Sequence, residues 1–237
     1  GARGGRHAPR RRHADNPEMY AQPLRALGRA GSLYDAHGVE RGVPAADDQR
    51  RATMKIDLCI CTYRRSHIAD TLRSVARAKI PAGVALRVIV IDNDDAPSAQ
   101  ARVAEVAKDT GLTIDYRHIP GSNISIARNG GLDAATGDWI AFLDDDELVE
   151  PDWLTALIAF VNATGVDAAF GHMRARYGPD TPQWMVDGDF HSQVAARRGD
   201  VVETGHTCNA LLRWGDVPWR HERFALERGR SGGEDTE

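Results

Sequence analysis

Trp139-Ile140-Ala141-Phe142-Leu143-Asp144-Asp145-Asp146-Glu147 sets five apolar residues directly against four carboxylates. An unbroken apolar run of this length, preceded by Gly137, has the signature of a strand covered on both faces. Outward from this stretch the same type of run recurs. Ile56-Asp57-Leu58-Cys59-Ile60-Cys61 and Leu86-Arg87-Val88-Ile89-Val90-Ile91 are short and β-rich, and Leu112–His118 alternates. Between them lie segments with helical spacing: Ile68, Leu72, Val75 and Ala76; then Ala99–Ala107; then Asn123–Ala135, closed by Gly137. Asp152–Ala163 follows the acidic stretch with Pro151 near its first turn. Strand and helix in alternation, joined by short connections, predict an α/β fold. Its sheet is a mainly parallel open sheet with helices on both faces.

In such a sheet, ligands bind beyond the carboxyl ends of the strands. The expected first strand delivers Thr62-Tyr63-Arg64, the second Asp92-Asn93-Asp94, the third leads to Gly121-Ser122-Asn123, and the fourth delivers Asp144-Asp145-Asp146-Glu147. Contiguous carboxylates repel and raise one another's pKa unless a cation is present. Strand alternation predicts Asp144 and Asp146 on one side with Asp145 pointing elsewhere. Two oxygen ligands on one side suit Mg²⁺ or Mn²⁺, whereas a solvated acidic turn ahead of the next helix is the plainer reading. Asp92 can accept from a nucleobase imide or close an Asx turn. Tyr63 can stack on a base or cover the rim. Arg128 sits in a helix whose amino end can face an anion, or it is an exposed helix charge.

Composition bounds the partners. The chain has 237 residues, room for one to two domains, and 30 Lys+Arg against 34 Asp+Glu give a net charge of −4. This excludes a strongly basic nucleic-acid binder. No apolar run approaches the ~20 residues of a membrane-spanning helix. Cys59, Cys61 and Cys208 have no CxxC spacing and read as reduced thiols of a cytosolic protein. Residues 1–53 hold ten Arg and six acids, a net of +4 that leaves −8 for residues 54–237. The first segment lacks a sustained apolar period, and Gly1–Arg12 reads as unfolded; a short helix around Tyr20–Leu27 is the one element it offers. Residues 1–53 are therefore expected to be a disordered or non-native extension, with Met54 a candidate start.

Taken together, these stretches resemble glycosyltransferase family 2, inverting transferases of the GT-A (Rossmann-like) fold. The matches run in order: Ile60–Arg65, Val90–Asn93, Asn123–Gly130 and Gly137–Glu147. Thr204–Asn209 resembles the acceptor-side strand, and Gly232–Glu237 the catalytic Glu-Asp segment. The general character is that of bacterial exopolysaccharide and glycan transferases. The resemblance covers residues 54–237 as one domain. It implies that Thr62, Tyr63 and Asp92 hold the uracil and ribose of a UDP-sugar, with Arg128 nearby and Arg64, Asn93 and Asp145 in the same donor-binding set. Asp144 would contact ribose or sugar, Asp146 a divalent metal (Mn²⁺ or Mg²⁺), and Asp235 would be the general base with Glu234 beside it. Without the resemblance, Glu234-Asp235 reads as a polar tail.

The implied activity is metal-dependent, inverting transfer of a sugar from a nucleotide-sugar to a hydroxyl of a glycan or lipid-linked acceptor. It would take place in the cytoplasm, with peripheral contact at the inner face of the membrane an open option. Family members continue past the Glu-Asp segment into a supporting helix that often brings a metal-contacting His. A C-terminally incomplete transferase is expected here, its activity an open question. The alternatives are a nonenzymatic sugar-nucleotide-binding remnant and a sugar-1-phosphate nucleotidyltransferase. The latter calls for a Gly-rich loop after the first strand, where Thr62-Tyr63-Arg64-Arg65-Ser66 has no glycine. A dinucleotide-dependent oxidoreductase fails for want of GxGxxG there. His206 reads as a loop residue, Trp184, Trp214 and Trp219 as packing before sugar contact, and Gly178–Gly199 as a mobile loop near the acceptor side.

Overall fold

The computed structural model describes residues 18–22, 53–193, 196–198, 201–231 and 233, with backbone alone at 18–22, 196–198 and 201–204. In chain order the elements are β1 (Glu18–Gln22), β2 (Met54–Thr62), α1 (Ile68–Arg77), β3 (Val84–Asp92), α2 (Gln100–Thr110), β4 (Ile114–His118), α3 (Ile124–Ala134), β5 (Trp139–Asp144) and β6 (Glu147–Val149). They continue with α4 (Trp153–Thr164), β7 (Ala168–Phe170), β8 (His172–Arg176), α5 (Gln183–Gly188), β9 (Ala196–Arg198), β10 (Val201–Thr204) and β11 (Asn209–Arg213).

The main sheet has six strands in the order β4-β3-β2-β5-β11-β7. Its first four strands are parallel; β11 runs antiparallel to both β5 and β7. This is the mainly parallel α/β sheet that the alternation of runs predicts. The apolar side chains on one face (Ile56, Leu58, Ile60, Val88, Val90) pack with α1, α2 and α4 through Leu72, Val103, Val106, Leu154 and Leu157. Those on the other face (Cys59, Ile89, Ile91, Ile140, Phe142) pack with α3 through Ala127 and Leu132. Burial on both faces explains why β2, β3 and β5 read as largely apolar runs. Helix α3 lies very close to the sheet, and a Cβ at Gly131 would stand 2.2 Å from Cys59 Sγ. No helix among the described residues is long and apolar enough to cross a membrane.

Far from the carboxyl edge, Asp57 ties the sheet to the α3–β5 connection. Its carboxylate accepts from Arg87 Nε at 2.7 Å and from the Thr136 and Gly137 N–H groups at 2.6 and 2.7 Å. Burial works to raise its pKa, but these donors outweigh it and hold the carboxyl below the ordinary value.

Three local expectations are revised. Residues 18–22 form a strand, where a helix around Tyr20–Leu27 was the option; β1 pairs parallel to β6 and antiparallel to β8. Hydrogen bonds from two distant partners decide this, and local propensity does not register them. The rest of 1–52 lies outside the described residues. The Gly178–Gly199 segment includes the short helix α5 and the β9 strand. Thr204–Asn209 is largely the turn between β10 and β11, and β11 proper begins at its last residue.

Candidate active site

Register places the strand ends on a common rim. Thr62 pairs with Asp92 and Asp92 with His118, while Cys61 pairs with Asp144. The polar residues following β2, β3 and β5 therefore converge on one edge, and the loop after β4 runs along it. Backbone bonds tie the rim together: Asn93 N–H donates to Thr62 O, Ile119 N–H to Asp92 O, and Ser122 N–H to Asn93 O.

Strand β5 ends at Asp144, and residues 145–146 turn into β6. Strand alternation stops there, which corrects the expected placement of the three aspartates. Asp145 is buried, and its Oδ2 accepts from the Thr62 hydroxyl at 2.6 Å. Arg65 reaches it as well, with Nε 3.6 Å from Asp145 Oδ1, and it forms a close ion pair with Asp146. So Asp145 and Asp146 share one cation. Burial pushes the Asp145 carboxyl up to about 6, with the Asp146 and Asp144 charges adding to it and the Thr62 bond and Arg65 opposing.

Asp144 belongs to a second group. Its ligand atoms, with those of Glu147 and Cys208, all lie within 4.8 Å of one another, a grouping able to hold a metal ion. Glu147 is fully buried; its Oε2 accepts from Asp144 N–H at 3.4 Å, and its Oε1 has no partner among the described residues. Burial first, then the charge of Asp144, raises the Glu147 carboxyl well above its ordinary value. Burial and the Glu147 charge likewise push the Cys208 thiol up. An orphaned, buried carboxylate oxygen among carboxylates is the environment that a bound cation would relieve.

On the opposite side of the rim, Asp92 is fully buried. Its Oδ1 accepts from Asp94 N–H, and its Oδ2 from Ala99 N–H at 2.8 Å and from the Tyr116 hydroxyl at 2.7 Å. Asn93 is also internal, donating to Ile119 O and accepting from Asn123 N–H at 2.6 Å. Arg64 pairs with Asp94 at 2.7 Å, lies over the Tyr63 ring, and holds a left-handed backbone with φ of 57°. Tyr63 is exposed, and its hydroxyl accepts from Ser122 Oγ. Arg128 is buried on α3, its guanidinium over the Phe224 ring. Trp214 is buried against the α3 face, and Trp184 is exposed beside Phe190. Glu234 and Asp235 lie outside the described residues.

Sequence reasoning did not assign roles to Arg65, Glu147, Cys208 and Asp94. Arg65 stands beside Arg64 in the first-strand motif, a signal that a counter-charge faces the acidic rim. Cys208 carries no such local signal, because only β11–β5 pairing brings it to Asp144.

The sequence profile of glycosyl transferase family 2 matches residues 57–215. The succinoglycan biosynthesis protein ExoM of Rhizobium meliloti (strain 1021) is 51% identical over 185 residues, covering 78% of this chain and 60% of that protein. The chain thus spans less than two thirds of that relative's length. Among solved structures, Staphylococcus aureus TarS 1-349 in complex with UDP superposes with a TM-score of 0.55 at 20% identity, covering 77% of this chain and 53% of that one. The mannosyltransferase PcManGT from Pyrobaculum calidifontis, in complex with GDP-Man and Mn²⁺, gives 0.55 at 17% identity, covering 76% and 49%.

Proposed function

The chain belongs to glycosyl transferase family 2, and we propose that it transfers a sugar from a UDP-sugar to a hydroxyl of a glycan or lipid-linked acceptor, inverting the anomeric carbon. The observation that carries this reading is the convergence of Thr62, Asp92 and the Asp144–Glu147 carboxylates on one rim of a parallel sheet. The similarity to ExoM supports an acceptor in polysaccharide synthesis. The TarS complex with UDP and the PcManGT complex with GDP-Man and Mn²⁺ share the fold, and they support a nucleotide-sugar donor and a divalent ion.

Each residue's part follows from its chemistry. Tyr63 offers an exposed ring to stack on the base. For Asp92, contact with the base imide exchanges the Tyr116 hydroxyl for the base. Arg64, Asn93 and Arg128 shape the donor pocket around them, and Thr62 fixes Asp145. Asp146, on displacing Arg65, would hold Mn²⁺ or Mg²⁺, since hard carboxylate oxygens suit either ion, and the separate group of Asp144, Glu147 and Cys208 offers a second place for a cation. Such an ion would supply positive charge to offset the negative charge that gathers on the departing diphosphate. Asp235, assigned by its place in the family's Glu-Asp segment, takes the proton of the attacking hydroxyl, with Glu234 as its neighbour. The new oxygen–carbon bond forms on the face opposite the breaking bond to the diphosphate. UDP leaves with the bonding pair, and the proton stays on Asp235.

Titration with UDP-glucose, with and without Mn²⁺, tests the donor side. Affinity that rises in Mn²⁺ supports the reading, and equal affinity removes the role given to Asp146. On the chemical side, Asp235→Asn is expected to lose transfer and keep donor binding; normal transfer by this variant overturns the base assignment.

A further inference from the structure

Polar side chains along α3 and at its amino cap hold the main chain of residues 223–229. Asn123 Nδ2 donates to Leu226 O at 2.8 Å, and Ser125 Oγ to Ala225 O at 2.8 Å. Asn129 closes a reciprocal pair: its Nδ2 donates to Phe224 O at 2.9 Å, and its Oδ1 accepts from Phe224 N–H at 2.8 Å. Asp133 pairs with Arg223 at 2.6 Å, and Ile124 N–H donates to Gly229 O at 3.1 Å. Apart from the Arg223 pair, these contacts recognise main-chain groups, so they specify a path. The Phe224 ring anchors the path, edge-on to Phe142 and beneath Arg128. At Gly229 the two segments touch so closely that a Cβ would stand 1.8 Å from Asn123 Oδ1.

The strap runs opposite to α3. Arg223 and Phe224 meet the carboxyl half of the helix, and Gly229 meets its amino end. That amino end belongs to the donor rim, because Asn123 N–H donates to Asn93 Oδ1 and Ser122 Oγ to Tyr63 Oη. Arg230 reaches Gly121 O at 3.3 Å on the same loop. Asp235 follows Ser231 by four residues, a reach of about 14 Å at most.

We infer that Asn129 and Ser125 are positioning residues for the transfer step. By fixing the strap along α3, they set Gly229 and Arg230 at the amino end of that helix, the point from which the chain continues to Asp235. This rests on the reading of Asp235 as the base. Both side chains bond the main chain of the strap, at Ala225 and Phe224. Alanine at either site keeps or improves helix propensity, so α3 itself survives the substitution.

The test uses the full chain, with Asn129→Ala, Ser125→Ala and Asn129→Asp. Three quantities are read: hydrogen exchange of residues 222–231, UDP affinity in Mn²⁺, and the kcat and KM for UDP release from UDP-glucose. Asn129→Ala is expected to speed exchange in 222–231 at least tenfold, keep UDP affinity within twofold, and lower kcat at least tenfold with KM unchanged. Asn129→Asp keeps the acceptor for Phe224 N–H and is expected to fall between wild type and Asn129→Ala. Ser125→Ala should shift the same quantities less, and it serves if the Asn129 variants fold poorly. Unchanged exchange, or faster exchange with unchanged kcat, overturns the inference. Equal UDP release by wild type and Asp235→Asn instead overturns the reading of Asp235 and the positioning role with it, while the exchange result still decides whether α3 holds the strap.

Discussion

The Thr62 hydroxyl donates to the Asp145 carboxylate at 2.6 Å, joining the end of β2 to the turn that follows β5. Thr62 and Asp145 are both buried, and Asp145 sits between two further aspartates. Its carboxyl is raised to about 6, above its value in an unfolded chain. The ionised form is thus penalised in the fold. That penalty vanishes in acid below both pKa values, grows through pH 4 to 6, and reaches about 3 kcal/mol at neutral pH. Asp145→Asn keeps an acceptor for Thr62 and removes the charge. Its melting temperature without metal is expected to rise at pH 7.5, and to rise less at pH 5. A lower melting temperature at pH 7.5 would show that the Arg65 pair outweighs burial.

Arg65 occupies the carboxylates that a cation would take. It pairs with Asp146 and approaches Asp145, although its own side chain remains partly exposed. A half-exposed ion pair of this type contributes about 1 kcal/mol or less. Arg65→Gln should therefore tighten Mn²⁺ binding by about threefold to fivefold, measured calorimetrically in the absence of nucleotide. Weaker Mn²⁺ binding by this variant would mean that Arg65 assists the site.

Asp57 should carry stability and no activity. Asp57→Ala removes the acceptor of the buried Gly137 N–H, of the Thr136 N–H and of Arg87 Nε, at a cost of about 2–4 kcal/mol. Because its pKa is lowered in the fold, its contribution is present above the unfolded carboxylate value and lost as pH falls through the folded one. Denaturant midpoints of wild type and Asp57→Ala should therefore converge in acid and stay apart at pH 7. A constant gap across that range would contradict the ionised role.

Gly131→Ala tests how closely α3 lies on the sheet. The added methyl meets Cys59 Sγ, so a loss of about 1–3 kcal/mol is expected from overpacking. The double variant Gly131→Ala with Cys59→Ala should recover part of that loss. Additive destabilisation would place the strain elsewhere.

The strands and the rim were legible because their signals are local. An apolar run ending in a polar cluster is visible in a few residues, and the observed ends of β2, β3 and β5 at Thr62, Asp92 and Asp144 lie within a residue of the sequence reading. The split among the aspartates was not legible. It depends on a turn at 145–146 that interrupts the period of two, and on where a guanidinium from the loop after β2 comes to rest. Cys208 joins Asp144 and Glu147 only through antiparallel pairing with a strand some seventy residues away. The path of residues 223–229 was equally hidden, since α3 holds it by main-chain groups that every sequence possesses.

The Arg65 contacts also bear on handling the material. A rim of contiguous aspartates stripped of cations would ordinarily swell and loosen by mutual repulsion. Here a tethered guanidinium serves as a resident counter-ion, so preparation in chelator should leave a folded, reloadable apoprotein.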